Sequence, residues 1–158
     1  MTPYYLNRWI IPAALALLEA RHDTPESRAM LIAIALQESG IKARRQSGNG
    51  PARSFWQFEK GGIEGVLNHK ASRERIRQVC VSLNVVPDVD SVHAAIEHND
   101  ILGAACARLL LFTSPNSLPQ SNQMMEGWEM YCNELWRPGR PRFETWGGNW
   151  LTAWESLK

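Results

Sequence analysis

The sequence predicts a mainly α fold with at most a small β element, and three observations carry that expectation. Met30-Leu31-Ile32-Ala33-Ile34-Ala35-Leu36 is apolar on every face of a helix, the pattern of a segment buried all round. Ile76, Val79, Cys80 and Leu83 recur at i, i+3, i+4 and i+7, with Arg73, Arg77 and Gln78 off that face. Leu102, Ala105, Cys106 and Leu109 repeat the spacing, and small Gly103, Ala104 and Ala107 permit close packing. With 158 residues and neither internal repeat nor low-complexity tract, the chain reads as one domain, 1–158. A chain this long buries roughly 70% of its unfolded surface, enough for a core without staples.

In chain order, Tyr4, Tyr5 and Trp9 open a first helical segment, which Pro12 kinks or restarts before residues 13–18. Arg21-His22-Asp23 ends it. Thr24-Pro25-Glu26 is a helix start: a hydroxyl cap, proline at the first helical position, and an acid near the positive end of the dipole. That helix runs to Ser39, and Gly40 supplies the usual left-handed stop. Residues 42–51, with Gly48 and Gly50, predict a flexible loop, and residues 54–58 a short strand or extended segment. Gly61-Gly62 predicts a break before a helix over 63–69. Ala71-Ser72-Arg73-Glu74 caps a helix through Leu83, Val85-Val86-Pro87-Asp88 links to a short one over 91–97, and Asn99-Asp100 starts one over 101–112. Residues 123–136 predict the next helix. Arg137-Pro138-Gly139-Arg140-Pro141 and Trp146-Gly147-Gly148-Asn149 read as turns, with a last helix over 150–157.

Glu38 stands out because it is ionisable and sits in the last turn of the most apolar helix. Carboxylates are rarely buried without a partner. An apolar setting raises a carboxyl's pKa and lets it hold a proton near neutrality, as a general acid must. Two readings stand side by side. Glu38 is either a boundary residue paired with Arg44, Arg45 or Arg53, or an acid facing a cleft built with Pro51-Ala52-Arg53-Ser54-Phe55-Trp56-Gln57-Phe58. His69 reads in the same two ways, as a helix-end histidine near carbonyl dipoles or as a second catalytic group.

Composition narrows the class. Lys and Arg total 17 against 16 Asp and Glu, a net charge of +1, which gives no electrostatic case for nucleic-acid binding. Basic clusters are local, at Arg44-Arg45 and across residues 73–77. Three cysteines, Cys80, Cys106 and Cys132, rule out a complete disulfide framework and read as buried thiols. No Cys-x-x-Cys or His-x-x-x-His spacing suggests a metal, and no cofactor is expected. Of the 7 tryptophans, most read as core, and Trp56 is assigned to the cleft, where a flat ring suits a sugar face. Residues 10–18 are apolar and follow Arg8, but Pro12 interrupts them and no convincing small-residue cleavage site follows. They read as a first helix rather than a signal peptide. No run approaches the ~18 apolar residues of a membrane span.

The same residues resemble a family. An apolar helix ending in Glu-Ser, a polar loop, then Gly-Ala-x-Gly-Leu-Met-Gln marks the soluble lytic transglycosylases and goose-type lysozyme-like proteins. Leu36-Gln37-Glu38-Ser39-Gly40 is similar to the first half, and Pro51-Ala52-Arg53-Ser54-Phe55-Trp56-Gln57 to the second, with Ala52 and Gln57 identical. Ser54 stands where the family has glycine, and Phe55-Trp56 for its Leu-Met. Trp-Gln-Phe-Glu resembles phage-encoded members. The resemblance covers residues 28–70, and Met130-Tyr131-Cys132-Asn133 echoes the family's Ala-Tyr-Asn-Ala-Gly, with Cys132 in place of asparagine.

The resemblance implies a lysozyme-like fold that cleaves the β-1,4 bond between N-acetylmuramic acid and N-acetylglucosamine in peptidoglycan, as a lytic transglycosylase forming 1,6-anhydro ends. It implies Glu38 as the acid and base, Gln57 bonding a sugar, and Tyr131 orienting the acid or the sugar. Ser39, Ser54, Trp56 and Phe58 complete the expected substrate-binding set. Partners would be peptidoglycan glycan strands and other phage lysis or virion proteins. A chain made in the host cytoplasm without a signal peptide would need another route to the wall. Hydrolysis by water, with Glu59 or Glu64 as a second carboxylate, stays open, as does a non-catalytic virion or adaptor protein that keeps the fold.

Overall fold

The structure is a computed structural model that describes residues 1–158. It is mainly helical, with almost no strand. The helices are α1 (Pro3–Tyr5), α2 (Ile11–Leu15), α3 (Pro25–Ser39), α4 (Lys60–Asn68), α5 (Arg73–Ser82), α6 (Val89–Ala95), α7 (Asp100–Phe112), α8 (Met124–Trp128) and α9 (Phe143–Glu155). Two π-helical segments, Leu6–Ile10 and Glu129–Leu135, join α1 to α2 and extend α8.

Helix α3 is the axis of the molecule. Ala29 through Ala35 are all 0% exposed, so the helix is wrapped by its neighbours, chiefly α9 and then α7. Its start is a capping box. The Ser27 N–H donates to Thr24 Oγ1 at 3.2 Å, and the Thr24 N–H donates to Ser27 Oγ at 3.1 Å. Its end is Gly40 at φ 61°, whose N–H still donates to the Leu36 carbonyl. Ile41 follows at φ 56°, a conformation that a β-branched side chain rarely adopts. The side chain is 1% exposed, so core burial holds the strained turn directly after Glu38 and Ser39.

Several expected boundaries move. Gly61 and Gly62 lie inside α4, and Gly147 and Gly148 lie inside α9, which begins at Phe143 rather than near 150. Tryptophan packing overrides the local weakness of those glycines: Trp146 and Trp150 seat α9 against the core. Residues 54–58 form no strand. Arg53 pairs with Arg45 and Phe58 in isolated bridges only. The 42–51 loop is tied down. Arg44 donates to both oxygens of Asp100 at 2.7 Å and lies over the Phe55 ring, and the Gln46 N–H donates to the Ala52 carbonyl at 3.0 Å. One contiguous core joins 36 buried residues, including Cys80, Cys106 and Cys132 as free thiols. No helix is long and apolar enough to cross a membrane.

Candidate active site

A cleft of about 830 Å³ opens at the C-terminal end of α3. Glu38, Ser39 and Gly40 lie along its floor. One wall comes from Lys42, Ala43 and residues 45–47 with Gln57, Phe58 and Glu59, and the other from Leu135, Trp136, Arg137 and Arg142. The volume is within the range of small-molecule sites.

Glu38 is half-buried and accepts a hydrogen bond from the Tyr131 hydroxyl at Oε1, 2.7 Å away. None of Arg44, Arg45 and Arg53 forms an ion pair with it. Those cations pair with Asp100 and Glu97 instead. Burial pushes the Glu38 carboxyl above its ordinary 4.5, while the Tyr131 hydrogen bond and the Arg142 charge pull it back part of the way. Burial first, and then the Glu38 charge, pushes the Tyr131 phenol well above its ordinary value of 10.0. The hydroxyl therefore keeps its proton and acts as a fixed donor.

Tyr131 is placed by packing. It lies in the π-helical stretch after α8, stacks on Trp146 at 5.2 Å with an interplanar angle of 4°, and meets Trp128 edge-on at 5.6 Å. A π turn rotates side chains relative to an α-helix, and such turns recur at functional sites.

Arg142 reaches the site through α3 itself. Its Nη2 donates to the Gln37 carbonyl at 2.7 Å, and Gln37 Nε2 donates back to the Arg142 carbonyl at 2.8 Å. Gln37 Oε1 accepts from Thr145 Oγ1 and Asn149 Nδ2, so this buried amide fastens the start of α9 beside Glu38.

The expected substrate residues separate into two groups. Gln57 and Phe58 line the cleft, as does Ser39, whose Oγ donates to the Phe55 carbonyl at 2.7 Å. Gln57 Nε2 donates to the Ser54 carbonyl, which leaves its Oε1 without a protein partner. Trp56 and Ser54 do not reach the cleft: both are 0% exposed. The Trp56 indole N–H donates to the Leu31 carbonyl at 2.8 Å, which turns the ring into the core. The tryptophan on the cleft is Trp136, which packs on Phe58 and donates its indole N–H to the Trp56 carbonyl at 2.9 Å. Ser54 sits at φ 68°, a conformation glycine adopts freely, and its Oγ accepts from the Trp56 N–H at 3.2 Å.

His69 lies outside the cleft lining, and its Nδ1 accepts from the Ala71 N–H at 3.0 Å, an end-of-helix cap. Glu59 lines the cleft and is exposed, whereas Glu64 does not line it. Arg142 and Trp136 carried no signal in the sequence beyond their place next to the Arg-Pro-Gly-Arg-Pro turn. No group of three or more His, Cys, Asp or Glu side chains is placed to hold a metal ion.

No protein-family model matches the chain, and no curated protein or solved structure matches it significantly.

Proposed function

We propose that the chain is a lysozyme-like peptidoglycan glycosidase of the lytic transglycosylase type, with Glu38 as its single acid and base. The observation that carries the reading is one half-buried carboxyl, held by Tyr131 and raised by burial, on the floor of a cleft that also presents Gln57 and Trp136. The Glu-Ser and Ala-x-x-x-x-Gln pattern across residues 38–57 adds the family resemblance.

The chemistry runs in two proton transfers. Protonated Glu38 gives its proton to the glycosidic oxygen as the bond from the muramic acid C1 to that oxygen breaks and positive charge develops at C1. The sugar's own C6 hydroxyl then attacks C1, closing the 1,6-anhydro ring, and its proton returns to the Glu38 carboxylate. No water is consumed and no second carboxylate is needed. Tyr131 bonds the carboxylate form and holds the carboxyl in one orientation throughout. Arg142 stabilises the carboxylate after the first transfer. The flat ring of Trp136 offers a face for a sugar, and Gln57 Oε1 an acceptor for a sugar hydroxyl or amide.

Glu59 on the cleft wall favours a second reading, hydrolysis by an activated water. Mass spectra of fragments from digested cell walls separate the two. Anhydro-muramic ends support transglycosylation, and reducing ends that vanish in Glu59→Gln support hydrolysis. Wall digestion that persists in Glu38→Gln overturns both.

A further inference from the structure

The opposite end of α3 carries a second cluster. The guanidinium carbons of Arg21, Arg75 and Arg108 lie 5.2, 5.2 and 5.9 Å from the centre of the Phe112 ring. They come from three parts of the chain: the turn before α3, α5, and α7. One carboxylate answers them. Glu19 pairs with Arg75 at 2.7 Å and with Arg21 at 2.9 Å.

Arg108 is left over. It is 4% exposed, its Nε donates to the His22 carbonyl at 2.9 Å, its Nη1 is buried without a partner, and no carboxylate pairs with it. His22 beside it is 0% exposed, meets Phe112 edge-on at 4.6 Å, and has both ring nitrogens unpartnered. Burial and the neighbouring cations hold this imidazole neutral, so it adds no charge at neutral pH. The local balance is three guanidiniums against one carboxylate.

Buried donors in folded proteins are almost always partnered, and a buried cation without a counter-charge is strongly disfavoured. A water would satisfy the Arg108 donor and leave the charge. A bound oxyanion answers both. We propose that Arg21, Arg75 and Arg108 around Phe112 form a binding site for a phosphate-class oxyanion. Three guanidiniums gathered round one ring from separate elements suit a tetrahedral anion better than a planar carboxylate, which offers two oxygens to one fork. Arg108 and His22 make the buried back of the site. Arg21 and Glu19, with side chains 58% and 51% exposed, make the rim that moves to admit the anion. Arg21 and His22 precede the first residue of α3 and Glu38 lies in its last turn, a helix of 15 residues and about 22 Å, so the site is independent of the glycosidase reading.

Calorimetric titration of the full chain with inorganic phosphate at neutral pH tests the assignment. Saturable one-site binding is expected, weakened about tenfold in Arg21→Gln and lost in Arg108→Met. Arg77→Gln, on α5 but away from the ring, should bind like the parent. If Arg108→Met fails to fold by its thermal melt, Arg21→Gln decides the matter alone. Sedimentation with phosphatidylglycerol vesicles identifies the source of the phosphate. Vesicle binding displaced by phosphate assigns a lipid headgroup, and phosphate binding without vesicle binding assigns a soluble ion. Absence of saturable heat, or equal affinity in Arg21→Gln and the parent, overturns the proposal.

Discussion

The Tyr131 hydroxyl donates to Glu38 Oε1 at 2.7 Å across 93 residues of sequence. The bond favours the carboxylate and so opposes the burial that favours the acid. Burial is the larger of the two forces, so the Glu38 carboxyl stays above its ordinary pKa while the hydrogen bond moderates the rise.

Removing the hydroxyl should unbalance them. In Tyr131→Phe the carboxyl loses a hydrogen bond that favours its charged form, which raises its pKa further. The alkaline limb of the pH–rate profile for wall digestion should move to higher pH, while the rate at the optimum falls because the acid is no longer held. An unchanged limb would mean that Tyr131 acts on packing alone.

Glu38→Gln should lower wall digestion by about 10²–10⁴-fold, the share usually carried by a positioned acid. It should also stabilise the fold at neutral pH relative to the parent. The folded carboxyl binds its proton more tightly than the unfolded one, so the parent loses stability as pH rises from the unfolded value of 4.5 through the folded value. The amide has no such loss. Melting temperatures should converge near pH 4 and separate above it.

His22 predicts the opposite slope. Its folded pKa is depressed to about 4 from 6.5, first by burial and then by the Arg108 charge. The stability it contributes is fully present above 6.5 and is lost as pH falls through about 4, on the order of 3 kcal/mol in all. Groups facing it are Glu19, Arg21, Arg75 and Arg108. Urea melts across that window should show the loss in the parent and a flatter profile in His22→Phe.

Gln37→Leu should cost about 1–3 kcal/mol, because the Arg142 carbonyl and the Thr145 and Asn149 side chains lose their shared partner. Its activity should fall further than its melting temperature implies, since the Arg142 backbone is released beside Glu38. Equal loss in both would reduce Gln37 to a structural clamp.

Gly127→Ala should destabilise by about 1–3 kcal/mol, since an added Cβ would lie 2.6 Å from the Trp150 ring. Ser54→Gly should be tolerated, because relief of φ 68° offsets the lost bond from the Trp56 N–H. Thermal melts of the two variants check the contrast.

Much of α3 was legible because its signals are local. A hydroxyl cap, a proline, an apolar run and a terminal glycine act within a few residues of one another, so the sequence alone determined the helix, its ends and the placement of Glu38. It also singled out Tyr131 through a motif echo. Only the tertiary structure decided which tryptophan faces the cleft. Trp56 and Trp136 are the same residue type, but the Leu31 carbonyl, 25 residues before Trp56, draws that indole inward and leaves the half-buried Trp136 to line the cleft. The tertiary structure likewise sent Arg44 to Asp100, brought Arg142 to Gln37 across 105 residues, and kept α9 helical through two glycines. Hydrogen-bond caps and helical periodicity are short-range and written in neighbouring residues. The choice of ion-pair partner and of buried face is settled by which distant surfaces meet when the core closes.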